Sequence, residues 1–352
     1  MKADSTAGAG RRPTVVDALP KAEIHLHLEG SIRPKTAVEV AARHGEKITV
    51  EDVARRYQYE DFAGFIEAFK WVTSYLREPD DYRVIVKGLA EELLRQSVVY
   101  AEVTISAGVM RLRKQDVDAN FAAICGAAAD FSSRGLRMAW IFDAARQFGA
   151  AAAMELAFIA TKLRNRGVVA FGMGGDELAF PASDFRTVFD HARSEGLRIV
   201  CHAGETGGPQ SVRDAIEILG AERIGHGIGV MHDNALAETC IERGIVLENC
   251  ITSNLCTRAL AKQTGNAKAA LADHPLRGFL NRGVPVVLST DDPAMFHTDL
   301  LTEYSKAVLL GLSDAQLVAL AERSFHAAFL PAPEKQAYLQ QFRAAARSVP
   351  LV

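Results

Sequence analysis

Ala22-Glu-Ile-His-Leu-His-Leu-Glu-Gly30 is the stretch from which the rest of the chain can be read. His25 and His27 stand two apart in an apolar run with Ile24, Leu26 and Leu28. In a β-strand, residues i and i+2 share a face, so two imidazoles converge on one point while the apolar side chains face away. Paired neutral imidazoles commonly begin a zinc or iron site. The plainer alternative is two satisfied histidines in a buried strand, and the motif alone does not choose between them. The choice rests on what stands at the ends of the other strands.

Eight short apolar, β-branched-rich runs are visible, spanning 24–29, 100–106, 138–144, 168–174, 198–205, 223–227, 245–252 and 284–291. Helical spacing separates most of them. Strand alternating with helix predicts parallel pairing and right-handed crossovers, and eight such units predict a (β/α)₈ TIM barrel of the α/β class. Two additions are expected: a helical insertion after the first strand, within 45–97, and helices at the C-terminus. In the insertion, Phe62, Phe65, Ile66 and Phe69 follow the i, i+3, i+4, i+7 spacing of an apolar helix face, with Trp71 and Tyr75 next. Packing accounts for most of these aromatics. Insertions after barrel strands lie on the catalytic face, however, so Phe65, Phe69 and Trp71 are substrate-contact candidates. Near the C-terminus, Ser313 with Gln316 forms a capping-box signature, and Pro331 and Pro333 precede a last helix from about Glu334.

Composition narrows the class. The 352 residues are 49% hydrophobic and 24% charged with a net charge of −3, enough chain for one barrel and no basic footprint for nucleic acid or an anionic membrane. No run reaches the roughly 18 apolar residues of a membrane span. The five cysteines include no Cys-X-X-Cys pair, which suits a reducing cytoplasm. Residues 1–13 are Ala/Gly/Ser-rich without an apolar signal core and are read as a disordered leader, leaving 14–352 as a single domain.

In barrel enzymes the working side chains come from the C-terminal ends of strands. Those ends carry His25, His27 and Glu29, then Gly174-Gly-Asp-Glu177, His202-Ala-Gly-Glu205, Gly225-His226-Gly227, Thr252-Ser-Asn254 and Ser289-Thr-Asp-Asp-Pro293. Four of the ten histidines therefore fall at one end of one barrel, a concentration that chance would scatter. His25, His27 and His202 would supply three nitrogens to a single metal at roughly 2.0–2.1 Å, and Asp291 one oxygen. A catalytic zinc keeps a position for water and lowers its pKa. His226, between two glycines, suits the residue that takes the proton and aims the water, and Glu205 can hold a proton for the leaving side. Asp291 is assigned to metal and Asp292 to substrate, with the swap left open and a helix N-cap as the plainer reading of Asp292. No Lys ends the fourth strand, where a carbamate bridging two metals would be expected, which favours one metal. The His-X-Glu with Pro-Cys-X-X-Cys signature of the unrelated zinc deaminases is missing.

These six motifs, in this order from about Pro20 to Phe329, resemble the adenosine deaminase family of the amidohydrolase superfamily. The resemblance implies one Zn2+ per subunit and a zinc-activated water attacking C6 of a purine nucleoside, releasing ammonia. By motif position Glu205 protonates N1, His226 orients and deprotonates the water, and Asp292 is the acceptor for N7. The backbone N–H of Gly175 donates to N3, and Glu29 stands near the sugar, with His27 also on the substrate side. Departures occur at Cys250-Ile251, where many members have Cys-Pro, at Ala101–Ala107, which lacks the usual Arg, and at Ala68–Thr73. They touch the sugar and 5′ side and resemble the bacterial branch acting on 6-aminodeoxyfutalosine, an adenosine with an enlarged 5′ substituent, in menaquinone biosynthesis. Adenosine itself is the equal alternative. Free adenine, adenosine monophosphate and a barrel that binds nucleosides without turnover rank behind. A homo-oligomer is compatible with the sequence.

Overall fold

The computed structural model describes residues 11–350. Eight strands follow in chain order: β1 Lys21–His27, β2 Val98–Ile105, β3 Arg137–Ala145, β4 Val168–Gly174, β5 Arg198–Ala203, β6 Arg223–His226, β7 Val246–Asn249 and β8 Val286–Leu288. Each pairs in parallel with the next. The ring closes beyond β8. There the Asp291 N–H donates to the His25 carbonyl at 3.0 Å, and the His27 N–H donates to the Asp291 carbonyl at 2.8 Å. This is the expected (β/α)₈ barrel.

The predicted strands sit where expected, but four end two or three residues early. The β1 run stops at His27, and Glu29 lies in a 3₁₀ turn, Glu29–Ser31. β5 stops at Ala203, before Glu205. β7 stops at Asn249 because Ile251–Cys256 forms a helix, which takes Thr252, Ser253 and Asn254 off the strand. β8 ends at Leu288. The reason is common to all four. Strand hydrogen bonding requires a neighbour of the same length, and at the catalytic rim the chain turns inward to present polar groups.

The strands are buried on both faces, as a parallel barrel demands. Ile24, Leu26 and Leu28 are at most 1% exposed and pack outward against the helices. The alternate residues, Glu23, His25 and His27, point into the barrel. Four helices fill the long β1–β2 connection: Pro34–Arg43, Val50–Arg56, Phe62–Thr73 and Pro79–Arg95. The third is capped by Asp61, whose side chain accepts from the Gly64 N–H at 3.0 Å. Its predicted apolar face is only partly buried: Phe65 is 7% exposed, whereas Phe62, one turn earlier, is 39% exposed. The Ser313–Gln316 capping box opens the helix Asp314–Ala327, and the last helix, Ala332–Ala346, begins two residues before the expected Glu334.

Of the predicted leader, residues 1–10 lie outside the described residues. Arg11 and Arg12 are tied to the body rather than loose. Arg11 pairs with Asp17 at 2.7 Å, and the Arg12 carbonyl accepts from the Ser305 hydroxyl at 2.7 Å. No described helix is long and apolar enough to cross a membrane.

Candidate active site

His25, His27, His202 and Asp291 come together inside the C-terminal mouth of the barrel, their ligand atoms all within 4.8 Å of one another. Their backbones are locked before their side chains meet. Both ladder bonds closing β8 onto β1 run between Asp291 and the His25–His27 pair. Asp291 and His226 take left-handed backbone angles, φ 65° and 62°. For residues with a Cβ this conformation costs on the order of 1–3 kcal/mol and persists where the surroundings enforce it. Here it ends the strand and turns the side chain over the cavity.

The cluster fits a divalent cation. The His27 and His202 Nε2 atoms face each other at 3.3 Å. Asp291 Oδ1 lies 3.5 Å from His25 Nε2 and 3.3 Å from His27 Nε2. His25 Nε2 is buried with no hydrogen-bond partner. Burial lowers the His27 pKa to about 4 and holds His202 well below the usual imidazole range, so both present free lone pairs at neutral pH. Burial opposes ionisation of Asp291, but the neighbouring His25, His226 and His27 imidazoles hold its carboxyl well below the ordinary range. Burial opposes charging of His25 as well, but the Asp291 and Glu248 carboxylates beside it raise its pKa to about 10, so a metal bound there would displace its Nε2 proton. Imidazole nitrogens and an anionic oxygen are the donor set of a single-metal site.

A second layer, which sequence reasoning missed, fixes these ligands. Glu248 at the end of β7 accepts from His25 Nδ1 at 2.6 Å, and Arg223 pairs with Glu248 at 2.6 Å and with Glu102 at 2.7 Å. The Ser253 hydroxyl donates to Asp291 Oδ2 at 2.7 Å. The amide of Asn254 bridges His226 Nδ1 at 3.1 Å and His274 Nε2 at 3.2 Å, fixing the plane of the His226 ring. His274 is thus buried behind the candidate base. Such partners set the tautomer and orientation of the ligands they touch. Only the Thr252-Ser-Asn254 motif hinted at any of them. Arg223 opens the stretch Arg223-Ile-Gly-His-Gly227 without any sign of its partners, and Glu248 sits in an apolar strand run with no spacing signal.

Glu205 and His226 face each other beside the cluster, Glu205 Oε2 lying 3.7 Å from His226 Nε2. Burial raises the Glu205 pKa above the ordinary carboxyl value. Asp292 stands apart from the ligand set. A Cβ on Gly30 would come within 1.7 Å of its Oδ1, so only glycine at position 30 leaves room for this carboxyl. Burial and the adjacent Asp291 charge push the Asp292 pKa well above its usual value. Glu29 is buried and accepts from the Ser106 N–H at 3.1 Å, and burial raises its pKa to about 7. Gly175, at φ +100°, allows the chain to pass Gln147, whose Oε1 would stand 2.2 Å from a Cβ there.

The insertion aromatics divide. Phe65 stacks on Phe296 at 5.0 Å, and the Phe296 N–H donates to the Asp292 carbonyl at 2.9 Å, so Phe65 backs the Asp292 turn. Phe69 packs against Phe65 at 6.0 Å. Trp71 does not join them. Six residues beyond Phe65, it points about 240° around the helix, where its ring meets Tyr75 at 5.4 Å and the Arg56 guanidinium at 5.7 Å.

A closed parallel barrel with three histidines, one aspartate and an acid–base pair at its strand ends defines a metal-dependent hydrolase of the amidohydrolase type. A family model described as adenosine deaminase matches residues 20–345, and the chain belongs to that family. It is 40% identical over 330 residues to an aminodeoxyfutalosine deaminase of Streptomyces coelicolor, covering 91% of this chain and 82% of that one. It is 33% identical to an adenosine deaminase of Escherichia coli over 338 residues, covering 93% and 98%. Among solved structures, the adenine deaminase of Arthrobacter aurescens superposes with a TM-score of 0.86 at 25% identity, over 94% of this chain and all of that one. The chain is a hydrolytic deaminase with a purine-type active site.

Proposed function

We propose that this enzyme deaminates a 6-aminopurine nucleoside with an enlarged 5′ substituent, aminodeoxyfutalosine, using one zinc ion held by His25, His27, His202 and Asp291. The observation that carries the reading is the identity of 40% to an aminodeoxyfutalosine deaminase against 33% to an adenosine deaminase, on one complete set of site residues. Bound there, zinc supplies Lewis-acid activation of the attacking water.

The chain's own residues do the rest. Glu205, whose pKa burial raises, gives its proton to N1 and makes C6 electrophilic. His226 aims the water and takes its proton as the oxygen bonds to C6. The exocyclic amine leaves as ammonia once it has received a proton, and C6 keeps the oxygen. The Gly175 N–H donates to N3. N7 offers a lone pair, so Asp292 meets it as a protonated donor, the reverse of the acceptor role inferred from sequence.

This pose also orients the sugar. With N1 toward β5, N3 toward β4 and N7 toward the end of β8, N9 points over the ends of β1, β2 and β3, where Glu29 stands. A cavity of about 290 Å³ lies in that sector, lined by Gly108, Leu112, Ala145, Phe148 and Leu156 with Arg111 among them. It supports an apolar 5′ extension, with Arg111 at its edge already paired with Glu155. The test is kcat/KM for aminodeoxyfutalosine and adenosine on zinc-loaded enzyme, followed by loss of adenine absorbance. The expected result favours aminodeoxyfutalosine. A preference for adenosine by orders of magnitude would end the 5′ reading, and turnover of neither would end the nucleoside reading.

A further inference from the structure

We infer that Glu177 is a positioning residue that sets where the acid Glu205 stands. The inference rests on Glu205 acting as the acid in the reading above. Glu177 follows β4 and is 8% exposed. Its carboxylate does not reach the ligand cluster. It accepts instead from three successive backbone N–H groups of the loop that carries Glu205. The Gly204 N–H donates to Oε2 at 2.6 Å, and the Glu205 and Thr206 N–H groups donate to Oε1 at 3.0 and 2.8 Å. The Ser211 hydroxyl adds a bond to Oε2 at 2.5 Å.

Successive N–H groups folded around one anion form a nest, and bonds to a charged acceptor are about twice as strong as neutral ones. The loop's opposite side is held as well. The Gly204 carbonyl accepts from the Gly229 N–H at 2.8 Å, and the Gln263 amide donates to the Glu205 carbonyl at 3.0 Å. Gly204 turns at φ +66°, and a Cβ on Gly207 would meet Glu177 Oε2 at 2.7 Å, so the loop closes on this carboxylate only with glycine there. The acid's backbone is therefore fully partnered, and Glu177 supplies the partner for every donor on its inner side.

Glu177 also adds negative charge beside the acid. The groups facing Glu205 are His226 from β6, Asp291 beyond β8, Glu177 beyond β4, and the Thr257 hydroxyl, which donates to Glu205 Oε1 at 3.3 Å. Burial is the main cause of the raised Glu205 pKa, and the Asp291 and Glu177 charges add to it while His226 opposes. Removing the Glu177 charge lowers that pKa, and the alkaline limb of the rate profile then moves to lower pH.

The experiment compares Glu177→Gln, Glu177→Asp and Ser211→Ala on full-length, zinc-loaded enzyme, reading kcat, KM, metal content, melting temperature and the pH profile. Glu177→Gln keeps the volume but turns an N–H donor toward the Gly204 N–H. The expected loss is on the order of 10²-fold in kcat, the scale of a misplaced catalytic group, with KM changed by less and metal content kept. The alkaline limb should move to lower pH in Glu177→Gln and stay in place in Glu177→Asp. Ser211→Ala, which leaves the charge and all three N–H bonds, should show a smaller fall in kcat. An unchanged kcat and profile in Glu177→Gln would overturn the inference. So would a parallel fall of kcat, metal content and melting temperature in Gln and Asp alike, the mark of a purely structural role. Full turnover in Glu205→Gln would instead remove the acid reading itself.

Discussion

Two buried carboxyls at the barrel mouth are pushed in opposite directions. The imidazoles around Asp291 hold its carboxyl well below the ordinary range, while burial raises that of Glu205. The sign follows from the shift. A raised pKa widens the pH range in which the acid form exists, so kcat/KM should fall as pH rises through the Glu205 pKa, at a higher pH than an ordinary carboxyl would give. Glu205→Gln should lower kcat by about 10²–10⁴-fold, the range for loss of a general acid, and abolish that alkaline limb while metal content stays at one per chain. A pH–rate profile of the two proteins checks both parts. Retention of the limb in the variant would assign it to another group.

Among the elements, the inserted helix Phe62–Thr73 is the one whose role its own pattern least defines. Its Phe65 packs on Phe296 and Tyr59, and the Tyr59 hydroxyl donates to the Met295 carbonyl at 2.7 Å. The helix thus clamps the 292–296 turn, which carries Asp292. Removing a buried phenylalanine ring costs about 3–5 kcal/mol of stability. Phe65→Ala should therefore lower the melting temperature and, by loosening the turn under Asp292, raise KM for the nucleoside several-fold. Trp71→Ala, on the opposite face, should leave KM unchanged. Steady-state kinetics with thermal melts separates the two. Equal effects on KM would show that the helix acts as a rigid block.

At the scale of the molecule, one ion joins distant parts of the chain. β1, β5 and the segment after β8 each contribute to the cluster, so metal binding is linked to barrel closure. A ligand bound only by the folded state stabilises it by about 4 kcal/mol at 1,000 times its Kd. Chelation should lower the melting temperature and abolish turnover, and added Zn2+ should restore both in proportion to its concentration. A melting temperature indifferent to chelator would separate the metal from closure. Arg223 extends the linkage to the barrel floor. Its guanidinium joins Glu102 and Glu248 and lies 3.8 Å from the centre of the Phe329 ring, in the C-terminal segment.

The sequence alone determined the barrel, because eight apolar runs spaced by helices leave few other ways to bury both faces of a parallel sheet. It also determined which side chains stand at the strand ends, because the two-residue period puts His25 and His27 on one face and the ends of the other strands carry His202, Glu205, His226 and Asp291. Only the tertiary structure decided where strands stop and what holds the ligands. β7 ends before Thr252 because a helix begins there, and Trp71 turns away because a helix has two sides. Glu248, Arg223 and Glu177 act through partners 25 to 223 residues away in sequence, as in the pair of Arg223 with Glu248 and the bond from His25 to Glu248. No local periodicity encodes such contacts. They exist only once the ring has closed and buried charges must find their counterparts.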